Sequence, residues 1–187
     1  MRQHISFSEL KIWSECAFKH KLMYIDQVKN FLGSWHDKQT FINDIENELD
    51  TDLGPLPLYQ TKHYLHNKLQ SKHWKQFFSN VLMVAEKLTN KKFKIVESWA
   101  NKITEESKFY LHTHPANISF VYYLHPIHEA YGTIIKMNEK EFILPGIENS
   151  ALFFNGNIPH EIVHPPKEIV KLNPRYSIAL DLNETNA

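Results

Sequence analysis

Along this chain the apolar positions follow two different rhythms, and the change falls near Lys92. Before it, they recur at helical spacing. Phe7, Leu10, Trp13, Ala17, Leu22 and Ile25 trace one helical face, which predicts a helix over residues 7–24. Ser6-Phe7-Ser8-Glu9 opens that stretch with the spacing of a capping box, a serine followed three residues later by glutamate. Residues 36–52 are polar and acidic, and Asp50-Thr51-Asp52-Leu53-Gly54-Pro55 reads as a linker. Leu65, Leu69, Phe77, Val81, Val84 and Leu88 then predict a second amphipathic helix over residues 61–88.

Beyond Lys92 the segments are short and rich in β-branched and aromatic residues. Strands are predicted at residues 93–99, 118–124, 133–137, 141–144, 151–154 and 176–182, with a hairpin turn at Asn138-Glu139-Lys140. Prolines mark the same division: residues 1–54 contain none, and residues 115–187 contain seven of the nine. Short strands closed by Pro, Gly or Asn point to a sandwich or jelly roll, so the class is mainly β, preceded by α-helices. The expected division is a helical segment, 1–54, and a β domain with a leading helix, 55–187.

Composition narrows the function classes. At 187 residues the chain has room for about one domain. Lys plus Arg and Asp plus Glu both number 21, which argues against a strongly basic nucleic-acid binder. The one cysteine, Cys16, excludes a disulfide framework and fits a reducing, cytoplasmic setting. No apolar run is long enough to span a membrane. Two counts stand out: twelve histidines, and only two arginines, of which Arg175 is internal.

His112-Thr113-His114-Pro115 precedes a strong strand. In extended backbone, residues i and i+2 point to the same side, so both imidazoles can turn toward one metal ion. His160, after a Gly-Asn turn, is the candidate third ligand, with His164 as the substitute. Three nitrogen ligands leave open positions for catalysis on iron or zinc. The competing reading is structural: among twelve histidines, one such pair arises by chance. His63, His66 and His73 read as a solvated helix face, and His125 and His128 as surface residues flanking Pro126. Arg175 opens the last strand, where its planar fork suits a carboxylate, and Ser177 shares its side. A rim ion pair with a nearby glutamate is the alternative role for Arg175.

The order Trp99-Ala100-Asn101, His112-x-His114-Pro115, Ser119-Phe120-Val121-Tyr122-Tyr123-Leu124, Pro159-His160-x-Ile162, Arg175-Tyr176-Ser177-Ile178 resembles the 2-oxoglutarate- and Fe(II)-dependent oxygenases of phage and bacterial genomes, over residues 55–183. The resemblance implies a double-stranded β-helix (a jelly-roll barrel). It implies ferrous iron on His112, His114 and His160, 2-oxoglutarate bound through Arg175 and Ser177, and oxidation by O2, usually hydroxylation. The commonest ligand set in that superfamily is two histidines and a carboxylate, with the acid where His114 stands. Three neutral imidazoles leave the iron site more positive, and Glu161 points away from His160 if the segment is extended. The substrate stays open among a protein side chain, a nucleobase and a small molecule. Tyr122, Tyr123 and residues 125–131 are the expected pocket walls.

Residues 4–45 are similar to the opening of RecB-like nucleases of the PD-(D/E)xK type, through Ile5-Ser6-Phe7-Ser8-Glu9-Leu10-Lys11, Cys16-Ala17-Phe18-Lys19-His20-Lys21-Leu22 and Gly33-Ser34-Trp35-His36. The later aspartate and E-x-K that hold Mg²⁺ in such nucleases have no convincing counterpart here. Three function classes follow: an oxygenase, a cupin-like metal-binding module without 2-oxoglutarate chemistry, and a nucleic-acid accessory protein. Oligomeric state has no residue signature, and no membrane partner is expected.

Overall fold

The computed structural model describes residues 23–25, 38–50, 59–137 and 139–185. The capping box, nearly all of the 7–24 helix, the 50–55 linker beyond Asp50, and Cys16, Lys19 and Lys21 lie outside the described residues. So does most of the nuclease-like stretch.

The described chain runs β1 (Met23–Ile25), α1 (Lys38–Glu48), β2 (Leu49–Asp50), β3 (Tyr59–Thr61), α2 (Leu65–Lys68), α3 (Lys72–Thr89) and β4 (Phe93–Ile103). It continues through β5 (Ile118–His125), β6 (Thr133–Met137), β7 (Lys140–Leu144), β8 (Ala151–Phe154), β9 (His160–Ile162), α4 (Lys167–Leu172) and β10 (Arg175–Glu184). The strands form a seven-stranded sheet, β1-β8-β5-β10-β4-β3-β2, and a three-stranded sheet, β7-β6-β9. Paired strands are antiparallel throughout.

Alternation along β10 sets the architecture. Tyr176, Ile178, Leu180 and Leu182 join the core beneath α3, while Arg175, Ser177, Ala179 and Asp181 line a cavity on the other face. From α3, Trp74, Phe77, Phe78, Val81, Val84 and Ala85 fill that core at helical spacing. Each large side chain buried there contributes roughly 1.5–3 kcal/mol. A second core of Tyr123, Ile135, Leu152, Phe154 and Ile158 joins the two sheets, with Val121, Met137 and Leu144 packed against it. Two facing antiparallel sheets make the jelly roll.

Four predicted elements differ. Residues 61–88 are not one helix. Thr61 belongs to β3, where its Oγ1 accepts the Ala100 N–H at 2.9 Å. Leu69 is extended between α2 and α3, and the Gln70 amide donates to the carbonyls of His66 and Asn67, closing the short helix. Within the polar stretch 36–52 lies α1, whose Phe41 and Ile45 are buried. Phe41 packs on Trp74 at 4.6 Å, and Asp44 accepts from the Trp74 indole at 2.9 Å. Met23–Ile25 is a strand paired with β8, so no helix reaches Tyr24. Finally, β4 runs to Ile103 rather than residue 99, because β10 pairs along its full length.

Candidate metal centre and anion pocket

Backbone pairing brings the three histidines together. His112 and His160 exchange N–H···O bonds of 3.0 Å in both directions, which adds the His112 segment beside β9. His114 N–H donates to the Gly156 carbonyl at 2.7 Å. The residue at 156 must lack a Cβ, because one built there would stand 2.4 Å from the Ala116 oxygen and 2.9 Å from the His114 oxygen. Gly156→Ala is therefore expected to push the His112–His114 segment off the β8–β9 turn. Both the thermal midpoint and metal affinity should fall, as measured by scanning calorimetry and isothermal titration.

The three imidazoles each offer one ring nitrogen, all within 4.8 Å of one another. Ring centroids are 4.4 Å apart for His112–His160, 4.9 Å for His112–His114 and 5.1 Å for His114–His160. Every Nδ1 is already engaged. His112 Nδ1 meets the Tyr110 carbonyl at 2.7 Å, and His160 Nδ1 meets the Ile158 carbonyl at 2.9 Å. A carbonyl only accepts, so both Nδ1 atoms carry the proton and both Nε2 lone pairs are free. His114 Nδ1 lies 3.0 Å from Asp181 Oδ2. Such outer partners fix ring orientation and tautomer at metal sites.

Burial pushes His160 from 6.5 down to about 4; the Ile158 carbonyl opposes the shift, His112 and His114 add to it, and Asp181 opposes it. The imidazole is therefore neutral, the form a metal takes, from neutral pH down to about pH 4. Between pH 6.5 and about 4 the unfolded chain binds this proton and the folded chain does not. Metal-free stability should therefore fall as pH drops through that window, by up to about 3 kcal/mol from this group. Denaturation curves at neutral and acidic pH should show the drop, and His160→Gln should shrink it.

Arg175 lies at the start of β10 and is fully buried. Its Nε, Nη1 and Nη2 have no hydrogen-bond partner among the described residues. The guanidinium sits over the Tyr123 ring at 5.6 Å, and the Tyr123 hydroxyl pairs with Thr133 Oγ1 at 2.7 Å. Burial pulls Arg175 down to about 10, so it stays charged at neutral pH. An isolated buried cation of this kind is costly, and an anion that meets its planar fork would relieve the cost. Ser177 lies on the same side, its Oγ 3.5 Å from Asn101 Nδ2. One cavity of about 330 Å³ contains Arg175, Ser177 and all three histidines.

Its walls differ from expectation. Tyr122 turns to the α3 core against Phe77, its hydroxyl donating to Asn149, and residues 125–131 do not line the cavity. Tyr123 reaches the site only through Arg175 and Thr133. Trp99 stacks on His114 at 5.3 Å and on His63 at 5.0 Å, with Gln60, Phe109 and Tyr110 also on the wall. His63 thus belongs to the pocket, not to a solvated helix. Its Nδ1 also meets Glu97 at 2.9 Å.

Other histidines serve the fold. His66 bonds Ser98, and His73 bonds Asp44. His125 is half-buried between Lys38 and Asn173, while His128 is exposed against Tyr131. His164 packs against Phe109 at a tilt, outside the cluster. Glu161 faces Lys136 at 3.5 Å, away from the histidines. Asp181 was not anticipated. The signal was present: a period of two from Arg175 and Ser177 places it on their face.

No protein-family model and no curated protein matches the chain. Among described residues, no helix is long and apolar enough to cross a membrane. Solved structures do match in shape. An oxidoreductase of the 2OG-Fe(II) oxygenase family from Burkholderia pseudomallei aligns with TM-score 0.69 at 10% identity, covering 100% of this chain and 96% of that one. A Pseudomonas putida prolyl-4-hydroxylase aligns with TM-score 0.64 at 12% identity, over 95% of this chain and 100% of that one. HygX of Streptomyces hygroscopicus, solved with nickel and 2-oxoglutarate, gives TM-score 0.64 at 12% identity, over 98% and 88%. At such identities the likeness establishes the fold: this chain has the jelly roll of the 2-oxoglutarate oxygenases.

Proposed function

We propose that the chain is a non-haem Fe(II)- and 2-oxoglutarate-dependent oxygenase, acting as a hydroxylase, with His112, His114 and His160 as the iron ligands and Arg175 and Ser177 as the cosubstrate clamp. The observation that carries this reading is the fully buried guanidinium without a hydrogen-bond partner among the described residues, in the same cavity as the three histidines. A metal-binding jelly-roll module of the cupin kind needs the histidines but has no use for that cation. The donor chemistry fits. Three imidazoles with Nδ1 engaged present three Nε2 lone pairs, and a five-donor fork waits for a carboxylate.

Iron with bound 2-oxoglutarate would supply the activation of O2 and the oxidising power. The chain's own residues do the rest. Arg175 would hold the distal carboxylate with its planar fork, and Ser177 Oγ would add a hydroxyl donor beside it. Tyr123 and Thr133 hold the guanidinium's surroundings in place through their mutual hydrogen bond. Trp99, packed on His114, keeps water from that side of the ligand set. Gln60, His63 and Tyr110 stand on the wall where a primary substrate would enter.

Anaerobic addition of Fe(II) and then 2-oxoglutarate to the metal-free protein tests the reading. A visible charge-transfer band of the chelate is expected. Iron binding without the band would instead favour the cupin-like module, and no iron binding would leave the histidines structural.

A further inference from the structure

Asp181 is a carboxylate 2% exposed, on the cavity face of β10. Its Oδ1 accepts from Ser119 Oγ at 2.7 Å, and its Oδ2 faces His114 Nδ1 at 3.0 Å. Strand pairing sets the first contact, since Ser119 of β5 stands opposite Asp181. The second is reached at a break in β10: its register with β4 shifts between Asp181 and Leu182. Such irregularities re-aim side chains and gather beside active sites. The guanidinium of Arg175, on the same strand face, is not its partner. The three imidazoles are thus unequal. Nδ1 of His112 and of His160 donates to a backbone carbonyl, and Nδ1 of His114 alone faces a buried carboxylate, at 3.0 Å.

We propose that Asp181 is a positioning residue of the metal centre, supplying from behind His114 the negative charge that a directly bound carboxylate would bring. The inference rests on the reading of the three histidines as metal ligands. The Asp181 carboxylate holds the His114 proton on Nδ1 and turns Nε2 toward the ion. A charge-assisted N–H···O⁻ bond draws the ring toward imidazolate character and strengthens Nε2 as a donor. Ser119 keeps the carboxylate from rotating away. Summed over ligands and Asp181, the site has the same net charge as two histidines and one carboxylate. The charge simply lies one hydrogen bond further from the ion. This arrangement accounts for a histidine at position 114, and it gives the buried carboxylate, held on its other oxygen by Ser119, a polarised imidazole N–H to neutralise it.

The test is Asp181→Asn in the full chain, nearly the same shape without the charge. Dissociation constants for Fe(II) and Co(II) are measured anaerobically by titration calorimetry, without 2-oxoglutarate. The midpoint potential of bound iron and the denaturation curve of the metal-free protein are recorded alongside. Asp181→Asn is expected to bind metal roughly 10–100-fold more weakly, and its iron potential is expected to rise because a negative charge has left. Unchanged affinity and potential, even with lower stability, would mean a purely structural Asp181 and would overturn the proposal. If the unsubstituted protein binds neither metal, the three-histidine reading falls and takes this one with it. If it binds both and Asp181→Asn binds equally well, only the role of Asp181 falls. Should the variant not fold, nitrogen-15 NMR of the imidazoles in the metal-free, unsubstituted protein decides. His114 is expected to carry its proton on Nδ1, and a proton on Nε2 would overturn the assignment.

Discussion

His112→Ala is expected to abolish useful binding of ferrous iron while leaving the fold intact. The side chain is exposed, so truncating it removes little packing, and the effect on stability should stay within about 0.5 kcal/mol. The backbone exchange with His160 uses main-chain atoms and survives the change. Metal affinity, by contrast, loses one of three donors. The loss should exceed the roughly 10–100-fold that follows removal of a mere outer partner. Turnover of 2-oxoglutarate should vanish with it. His164→Ala is the matched control, because that ring packs against Phe109 outside the cluster. Equal affinities in the two variants would remove His112 from the site.

Arg175→Met should act in two opposite directions. The substitution removes a buried cation whose nitrogens find no partner among the described residues, and it keeps most of the side-chain volume. Metal-free stability should therefore hold or rise, since an uncompensated buried charge costs several kcal/mol. Affinity for 2-oxoglutarate should collapse. Breaking a buried ion pair by deleting one partner costs about 3–5 kcal/mol, on the order of a few hundred-fold or more in binding. Fe(II) affinity should be little changed, because Arg175 is not in the histidine cluster. Arg175→Lys should recover only part of the loss, since an ammonium lacks the planar fork. Anaerobic calorimetry with 2-oxoglutarate reads both variants beside the unsubstituted protein, and undiminished affinity in Arg175→Met would defeat the clamp. A structural role alone would predict the reverse pattern, with lower stability and intact binding.

The two predictions share a physical contrast. The histidines lie at the rim of the cavity, from exposed His112 through half-buried His114 to buried His160, and Arg175 lies at full depth. On the proposed reading, metal and carboxylate recognition should therefore be separable by substitution, although one cavity holds the histidines and Arg175 alike.

Much of the barrel was legible because a strand's period of two is a local property. The predicted strands at residues 118–124, 133–137 and 151–154 are β5, β6 and β8, with ends within a residue. The failures share a cause. Polar residues 36–52 hide α1, because Phe41 and Ile45 suffice to anchor an amphipathic helix once Trp74 and Phe77 are there to receive them. The 61–88 pattern fits a helix, yet Thr61 is taken into β3 by its pairing with β4. Tyr122 and Tyr123 are neighbours in an aromatic strand, and only the position of α3 decides which of them faces away from the cavity.

The sequence by itself determined which side chains share a face. His112 and His114 point together, and Arg175, Ser177 and Asp181 point together, because backbone geometry alone imposes that alternation. Tertiary structure decided what each face meets. His160 reaches the pair through a backbone bridge between segments distant in sequence, and Gly156 allows the close approach. His63 and Trp99 become a wall, Asp181 comes to rest behind His114, and Arg175 is sealed in without a hydrogen-bond partner among the described residues. Such contacts follow from strand pairing and sheet packing, which join residues whose local patterns carry no record of one another.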